Sequence, residues 1–208
     1  MAVASLTKMT VPLASDQSNP TQGLLMPKLK YRFRVEFQNF GVSTPRTELT
    51  KQVMDFTRPT VTFEEMTIPI YNSTIKLAGK YSWNDITCTL RDDAGGAVSK
   101  LVGEQLQKQL DFAEQASASS GIDYKFVTQF QVLDGGNGTN EPQILETWEL
   151  YGCFLKEVNY GDMNYGTSEP ATISMTVTFD NAVQTNTAGT NVGVGQTIGR
   201  TVGDVATG

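Results

Sequence analysis

The segment LKYRFRVEF limits what this chain can fold into more than any other. Tyr31, Phe33, Val35 and Phe37 fall on one side, and Lys30, Arg32, Arg34 and Glu36 on the other. A period of two belongs to a strand with one buried face, because successive side chains of an extended backbone point to opposite sides. The same period returns in NDITCTL, where Ile86, Cys88 and Leu90 oppose Asp85, Thr87 and Thr89. It returns again in DYKFVTQFQVL, with Tyr124, Phe126, Phe130 and Val132 on one side, and in ATISMTVTFDNA, where Ile173, Met175, Val177 and Phe179 alternate with threonine and serine. One interval breaks the pattern. Ala97, Val98, Leu101, Val102, Leu106, Gln109 and Leu110 keep the i, i+3, i+4 spacing of a helical stripe, which predicts one amphipathic helix over 96–116. Asp92 or Asp93 is expected to cap it, and SASSG to end it.

The expected fold is therefore mainly β: a two-sheet β-sandwich or barrel with one flanking α-helix. Its buried residues should include Phe33, Val35, Phe37, Ile86, Leu90, Leu101, Leu106, Trp148, Val177 and Phe179. Between Gly41 and Lys80 lie a loop at 41–48 and three shorter strand-like runs, LTKQVMDFT, TVTFEEMTIPI and STIKLAG. Pro59 and Pro69 confine their surroundings to strand ends or edges, since proline lacks the ladder donor. The long run QILETWELYGCFLKEVNY reads as one strand broken or bulged near Gly152. Residues 1–27 and 183–208 are rich in small polar residues without apolar periodicity, so they read as extended N- and C-terminal arms around a domain at 28–182.

A chain of 208 residues buries roughly 70% of its unfolded surface, so one core needs neither disulfide nor metal. No stretch approaches the roughly 18 uninterrupted apolar residues of a membrane-spanning helix, and the N-terminus lacks the basic-then-apolar order of a secretory signal. Cys88 and Cys153 have no metal-binding spacing and read as buried thiols, with a disulfide between them as the alternative. The net charge of −6 repels phosphate and argues against a protein that holds DNA by counterion release, although DNA can still slide past such a surface. The chain contains no histidine, which removes Ser-His-Asp and Cys-His catalysis, His-ligated metals and any imidazole base.

Catalytic raw material is limited to acidic pairs: Asp92 with Asp93, Glu64 with Glu65, and Glu146 with Glu149. Strand neighbours, and residues three apart on a strand, point to opposite faces, and Asp92 and Asp93 sit where a helix needs a cap, which argues against the facing carboxylates of a glycosidase. DDAGGAVSK lacks the Lys-Ser/Thr ending of a phosphate loop, and DGGNG opens no helix. Lys28, Lys30, Arg32 and Arg34 form a basic strip, but alternation sends Tyr31 and Phe33 to the other side, which suits a solvated or subunit-facing surface better than a nucleic-acid platform. No catalytic, cofactor-binding or metal site is expected.

From Met26 to Ala182, about three quarters of the chain, the sequence resembles the tail tube proteins of contractile-tailed bacteriophages, related in fold to the haemolysin-coregulated protein of type VI secretion. The resemblance rests on the opening strand KYRFRVEF and on an ordered set of motifs after it. An x-x-P turn at Thr57–Pro59 leads to a V-x-x-x-x-V-P-like strand at Val61–Ile70. There follow an N-x-x-I-K-x-A-G hairpin at Asn72–Gly79, a W/F-N/D-D strand ending in N/R-D-D at Trp83–Asp93, and the helix after Gly95. WELYGCFLKEVNYGDMNYG and ATISMTVTFDNA are similar to the family's closing strands.

The resemblance implies a virion structural protein rather than an enzyme. Hexameric rings, closed by donated edge strands, would stack into the inner tail tube that conducts the genome into the host during contraction. The implied partners are further copies of the chain, the tail sheath, baseplate and tail terminator proteins, the tape-measure protein, and DNA in transient passage; the implied place is the virion tail, assembled in the bacterial cytoplasm. The loop and hairpin, with Ser43, Thr44, Pro45, Arg46 and Asn72, are expected to mediate ring stacking, and the arms to become ordered only in the tube. Glu146, Glu149 and Glu157 are the candidates for a neutral to acidic lumen wall. A tube of a type VI or phage-like protein injection system is the principal alternative; a carbohydrate-binding sandwich and an acidic-pair glycosidase are the others.

Overall fold

The structure, a computed structural model, describes residues 27–43, 47–135, 142–186 and 188–198. The chain divides into two units, Met1–Arg32 and Phe33–Gly208. In the described part of the first, the Arg32 N–H donates to the Leu29 carbonyl at 3.2 Å and the guanidinium lies 5.5 Å from the Tyr31 ring centre. Tyr31 is 72% exposed, so the buried alternation starts later than the sequence suggests.

The second unit opens with β1 (Phe33–Gln38), α1 (Thr47–Gln52), β2 (Val53–Phe56), β3 (Val61–Ile70), β4 (Ser73–Trp83) and β5 (Ile86–Arg91). Then come α2 (Ala97–Gln109), the two-residue strands β6 (Leu110–Asp111) and β7 (Ala116–Ser117), and α3 (Gly121–Tyr124). It closes with β8 (Phe126–Leu133), β9 (Ile144–Asn159), β10 (Thr172–Thr178) and β11 (Asn181–Thr185). The main sheet runs β1-β8-β9-β10-β5-β2, with β11 also on β9, and every pairing is antiparallel.

β9 belongs to both layers of the sandwich. Its first part pairs with β8 and β11, and its last part with β10. The crossing falls at Gly152: Phe126 pairs with Cys153 but Thr128 with Leu150, so β9 carries the extra residue of a bulge there. Gly152 has φ 68°, in the left-handed region, and a Cβ at this position would lie 2.1 Å from Asp180 Oδ2. The expected break near Gly152 is thus a bend that lets one strand serve both layers.

The core lies between the layers. Phe56 of β2 stacks on Phe130 of β8 with centroids 5.1 Å apart and planes 9° from parallel. Val35, Phe37, Ile86, Leu90, Leu101, Val177 and Phe179 are buried as the alternation predicts; Phe33, Leu106 and Trp148 are half-buried against them. Each such side chain contributes roughly 1.5–3 kcal/mol when removed fully from water. Cys88 and Cys153 are free and buried, and burial pushes their thiols up to about 12 and about 11. No helix among the described residues is long and apolar enough to cross a membrane.

Three local expectations need correction. The helix ends at Gln109 rather than 116: the Gln109 amide accepts from the Leu155 N–H and donates to the Leu155 carbonyl, both at 2.9 Å. This side chain takes the place of a strand neighbour on β9, and the backbone turns away into β6. LTKQ is helical rather than extended, because α1 sets Leu49 fully into the core before the short β2 begins. Tyr124 closes α3, a single turn nucleated by a capping box in which Ser120 and Asp123 exchange hydrogen bonds, rather than starting β8. At the other end of α2 the residue before the helix is Gly96, yet Asp93 caps the first turn from a distance, accepting the Val98 N–H at 3.0 Å. That bond, aided by neighbouring N–H groups, holds the Asp93 carboxyl below its usual range.

Candidate assembly surface

Among the described residues β3 and β4 pair only with each other, and they form a ribbon about 34 Å long. Every residue of β3 is exposed, as is every residue of β4 except Gly79 and Trp83. The root is fixed: the Thr57 N–H donates to the Thr87 carbonyl and the Asn84 N–H to the Thr60 carbonyl, each at 2.9 Å, and the Trp83 ring lies 5.5 Å from Phe179. Beyond the root both faces of the ribbon are exposed among the described residues. A two-stranded hairpin is marginal in water by itself.

The pairing register sorts the ribbon into two faces. Past a bulge where Phe63 pairs with Tyr81 but Glu65 with Ala78, one face carries Met66 opposite Leu77 and Ile68 opposite Ile75, with Ile70 beyond them. The other carries Glu65, Thr67, Pro69, Thr74 and Lys76, with Lys76 paired to Glu65 at 3.0 Å. Nearer the root the apolar side is reversed: Val61, Phe63, Tyr81 and Trp83 continue the face that is polar further out. Gly79 sits at the switch, where a Cβ would come within 3.0 Å of the Glu64 carbonyl oxygen. Asn72 is exposed in the turn joining the strands, beside Tyr71 with φ 39°.

The linker into the ribbon is tied to the sandwich through Glu146. Its Oε1 accepts from Arg58 Nη2 at 3.0 Å, Trp148 Nε1 at 2.5 Å and Gln184 Nε2 at 2.9 Å, and its side chain is 6% exposed. Glu146 pairs with Val132 on the core side of β9, whereas Glu149 pairs with Gln129 on the outer side. The two are on opposite faces, as their odd spacing predicts, but Glu146 does not line an open surface. Alternation identifies the face; it does not reveal that Arg58, from the linker, covers this position.

Glu149 accepts from Gln129 Nε2 at 3.0 Å and from the Tyr151 hydroxyl. It shares the outer face of β1, β8, β9 and β11 with Arg34, which donates to Gln131 Oε1 at 2.8 and 2.6 Å and pairs with Glu36 at 2.9 Å. Glu157 is exposed on the other layer, in a row with Thr176 and Thr87. β11 and a return segment cross the expected domain boundary at 182: the Gln184 N–H donates to the Val194 carbonyl at 2.8 Å, and the Val192 N–H to the Gln184 carbonyl at 2.9 Å. These pairings supply partners that the polar segment does not provide by itself.

Thr44, Pro45 and Arg46 lie outside the described residues. Ser43 is held by α2: Glu104 accepts from the Val42 N–H at 2.9 Å, the Ser43 N–H at 2.7 Å and the Ser43 hydroxyl at 2.5 Å. Gln105, fully buried, accepts from the Gly41 N–H at 3.0 Å. The Ser43 hydroxyl and backbone bonds, with that of Val42 and the Lys100 charge behind them, hold the Glu104 carboxyl at about 2. A depressed carboxylate pKa adds stability above the ordinary value near 4.5 that is lost as pH falls through about 2. Wild type should therefore lose about 1.5–3 kcal/mol more than Glu104→Gln across that acid window in urea unfolding, the range of hydrogen bonds to a charged group. Equal losses would show that the carboxylate does not hold the loop.

No protein-family model and no curated protein sequence matches the chain. Among solved structures it is similar to the anti-feeding prophage cap, described as the AFP tube terminating cap, with 14% identity, 79% of this chain and 95% of that one covered, and a TM-score of 0.56. It is similar to the sheath/tube terminator of an extracellular contractile injection system, PVC, in its extended state, with 13% identity, 78% and 99% covered, and a TM-score of 0.56. A chain of the six-fold symmetrised anti-feeding prophage baseplate gives 13% identity, 79% and 99% covered, and a TM-score of 0.57. The fold is tube-protein-like, shared with tube and terminator proteins of contractile injection systems.

Proposed function

We propose that this chain is a non-enzymatic structural subunit whose hexameric rings stack into a tube. The observation that carries this reading is the tube-protein-like fold joined to a long hairpin that no part of its own described chain covers. In the reading favoured by the sequence motifs, the tube is the inner tail tube of a contractile-tailed phage and conducts the genome during contraction. Its partners are the sheath, baseplate, tail terminator and tape-measure proteins, and DNA passes without being held. The polar outer faces bearing Glu149 and Glu157 suit a wall past which a polyanion slides, since fixed acidic and hydrogen-bonded groups leave phosphate little to pair with. The second reading, a tube of a protein injection system, is favoured by the anti-feeding prophage and extracellular injection-system structures that share the fold. The loop at Ser43 and the hairpin with Asn72 are the stacking elements in both.

Negative-stain electron microscopy of the purified chain tests the shared part, with six-fold rings or stacked tubes as the expected result. A chain that stays monomeric as its concentration is raised overturns it. Copurification with phage particles containing DNA, against particles without it, separates the two readings.

A further inference from the structure

The hairpin leaves the second layer at one end and the β9–β10 loop leaves it at the other. β5 pairs with β10 from Ile86 opposite Val177 to Arg91 opposite Thr172; the hairpin joins β5 at its Ile86 end, and residues 160–171 join β9 to β10 at the Arg91 end. The seven residues of β10 set the two ends about 20 Å apart. Each end bears uncovered apolar groups: Met66, Ile68, Ile70, Ile75 and Leu77 at the first, and Tyr160, Met163 and Tyr165 at the second. Residues 160–170 are all exposed, and their charges are Asp162 and Glu169. The hairpin carries two acids and two bases, Glu64, Glu65, Lys76 and Lys80.

From this placement we propose that the outer aliphatic face of the hairpin docks on the Tyr160–Tyr165 loop of a second copy of this chain. This deepens the proposed tube function by giving the stacking contact its two surfaces. Because the surfaces differ and lie at opposite ends, the contact is head-to-tail, the kind that propagates into an open filament. Charge favours the same occupant. The chain as a whole is at −6 and copies repel, but the hairpin sums to zero and Lys80 meets an acidic loop. The Glu65, Thr67 and Lys76 face stays in water, its ion pair already made.

Ile68 and Thr67 provide the test, because they are neighbours on opposite faces and both are exposed, so neither substitution disturbs a core. Ile68→Glu should raise the concentration needed for polymerisation at least tenfold, measured by sedimentation and microscopy of the full chain, while Thr67→Glu should change it less than threefold. In wild-type-like tubes assembled from an equal mixture of Ile68→Cys and Met163→Cys chains, a short bismaleimide should produce a covalent dimer absent from either variant alone; the native cysteines are buried and do not compete. Tubes that form equally well from both glutamate variants, or that give no mixed dimer, overturn the proposal while leaving the tube reading in place. A wild-type chain that forms no assembly overturns both.

Discussion

Gly152→Ala is expected to lower the stability of the domain by about 2–4 kcal/mol, the sum of a left-handed backbone penalty of about 1–2 kcal/mol and the displacement of Asp180. The added methyl would lie 2.1 Å from Asp180 Oδ2 and 2.7 Å from its Cγ, so a side chain with little reach must move as a whole. Moving it opens the Lys125–Asp180 pair, which stands at 2.6 Å. For a domain of this size the loss corresponds to a fall in melting temperature of roughly 4–16 °C. Asp180→Ala in the same background should recover the steric part and leave the backbone part, because it frees space without changing φ. Thermal unfolding of the two single variants and the double variant separates the terms. A Gly152→Ala protein as stable as wild type would show that the bend tolerates a side chain.

Glu146→Ala should cost about 3 kcal/mol, because it leaves Trp148 Nε1 and Gln184 Nε2 without their carboxylate in a region from which water is largely excluded. Glu146→Gln keeps an acceptor oxygen and should cost about 1 kcal/mol. Arg58 is about half exposed and can turn to solvent, so the ion pair itself is the smaller part. A double-mutant cycle of Arg58→Ala with Glu146→Gln, followed by denaturant unfolding, should return a coupling of about 0.5–1 kcal/mol. A Glu146→Ala variant within a few tenths of wild-type stability would refute the buried-hub account.

The difference between Glu146 and Glu149 shows where sequence reading succeeds and where it stops. Period-two spacing is a property of the strand alone, so it places Val35, Ile86, Leu90 and Val177 in the core and assigns the two glutamates to opposite faces. Whether a polar residue on the inner face is open or covered depends on a distant segment, here the linker at Arg58 and the Gln184 amide on β11. The helix shows the same limit. Its apolar stripe continues through Leu110 and Phe112, but Gln109 is engaged by the β9 backbone and the chain leaves the helical path. Nothing within residues 97–116 encodes that partner. The single-turn α3 was legible, since Ser120 and Asp123 have capping-box spacing, and the alternation of the following strand concealed it. In the hairpin, β3 shows the exchange of apolar sides in its own spacing, from Val61 and Phe63 to Met66, Ile68 and Ile70, whereas in β4 Ile75, Leu77, Tyr81 and Trp83 keep one period and change sides through the one-residue offset at Gly79, which appears only once the two strands are in register.

β9, sixteen residues long and shared by both layers, sets how the domain resists force. A pull between the hairpin end and the β9–β10 loop end acts along β9, β10 and β5, in line with their axes. The hydrogen bonds between these strands lie across that direction, so the load falls on many of them together and none can open first as in a peeled edge. Loading by this route is shear, in which rupture requires a whole ladder to slip. A domain arranged in this way yields late and abruptly under tension, a mechanical property that suits the stacked assembly proposed above.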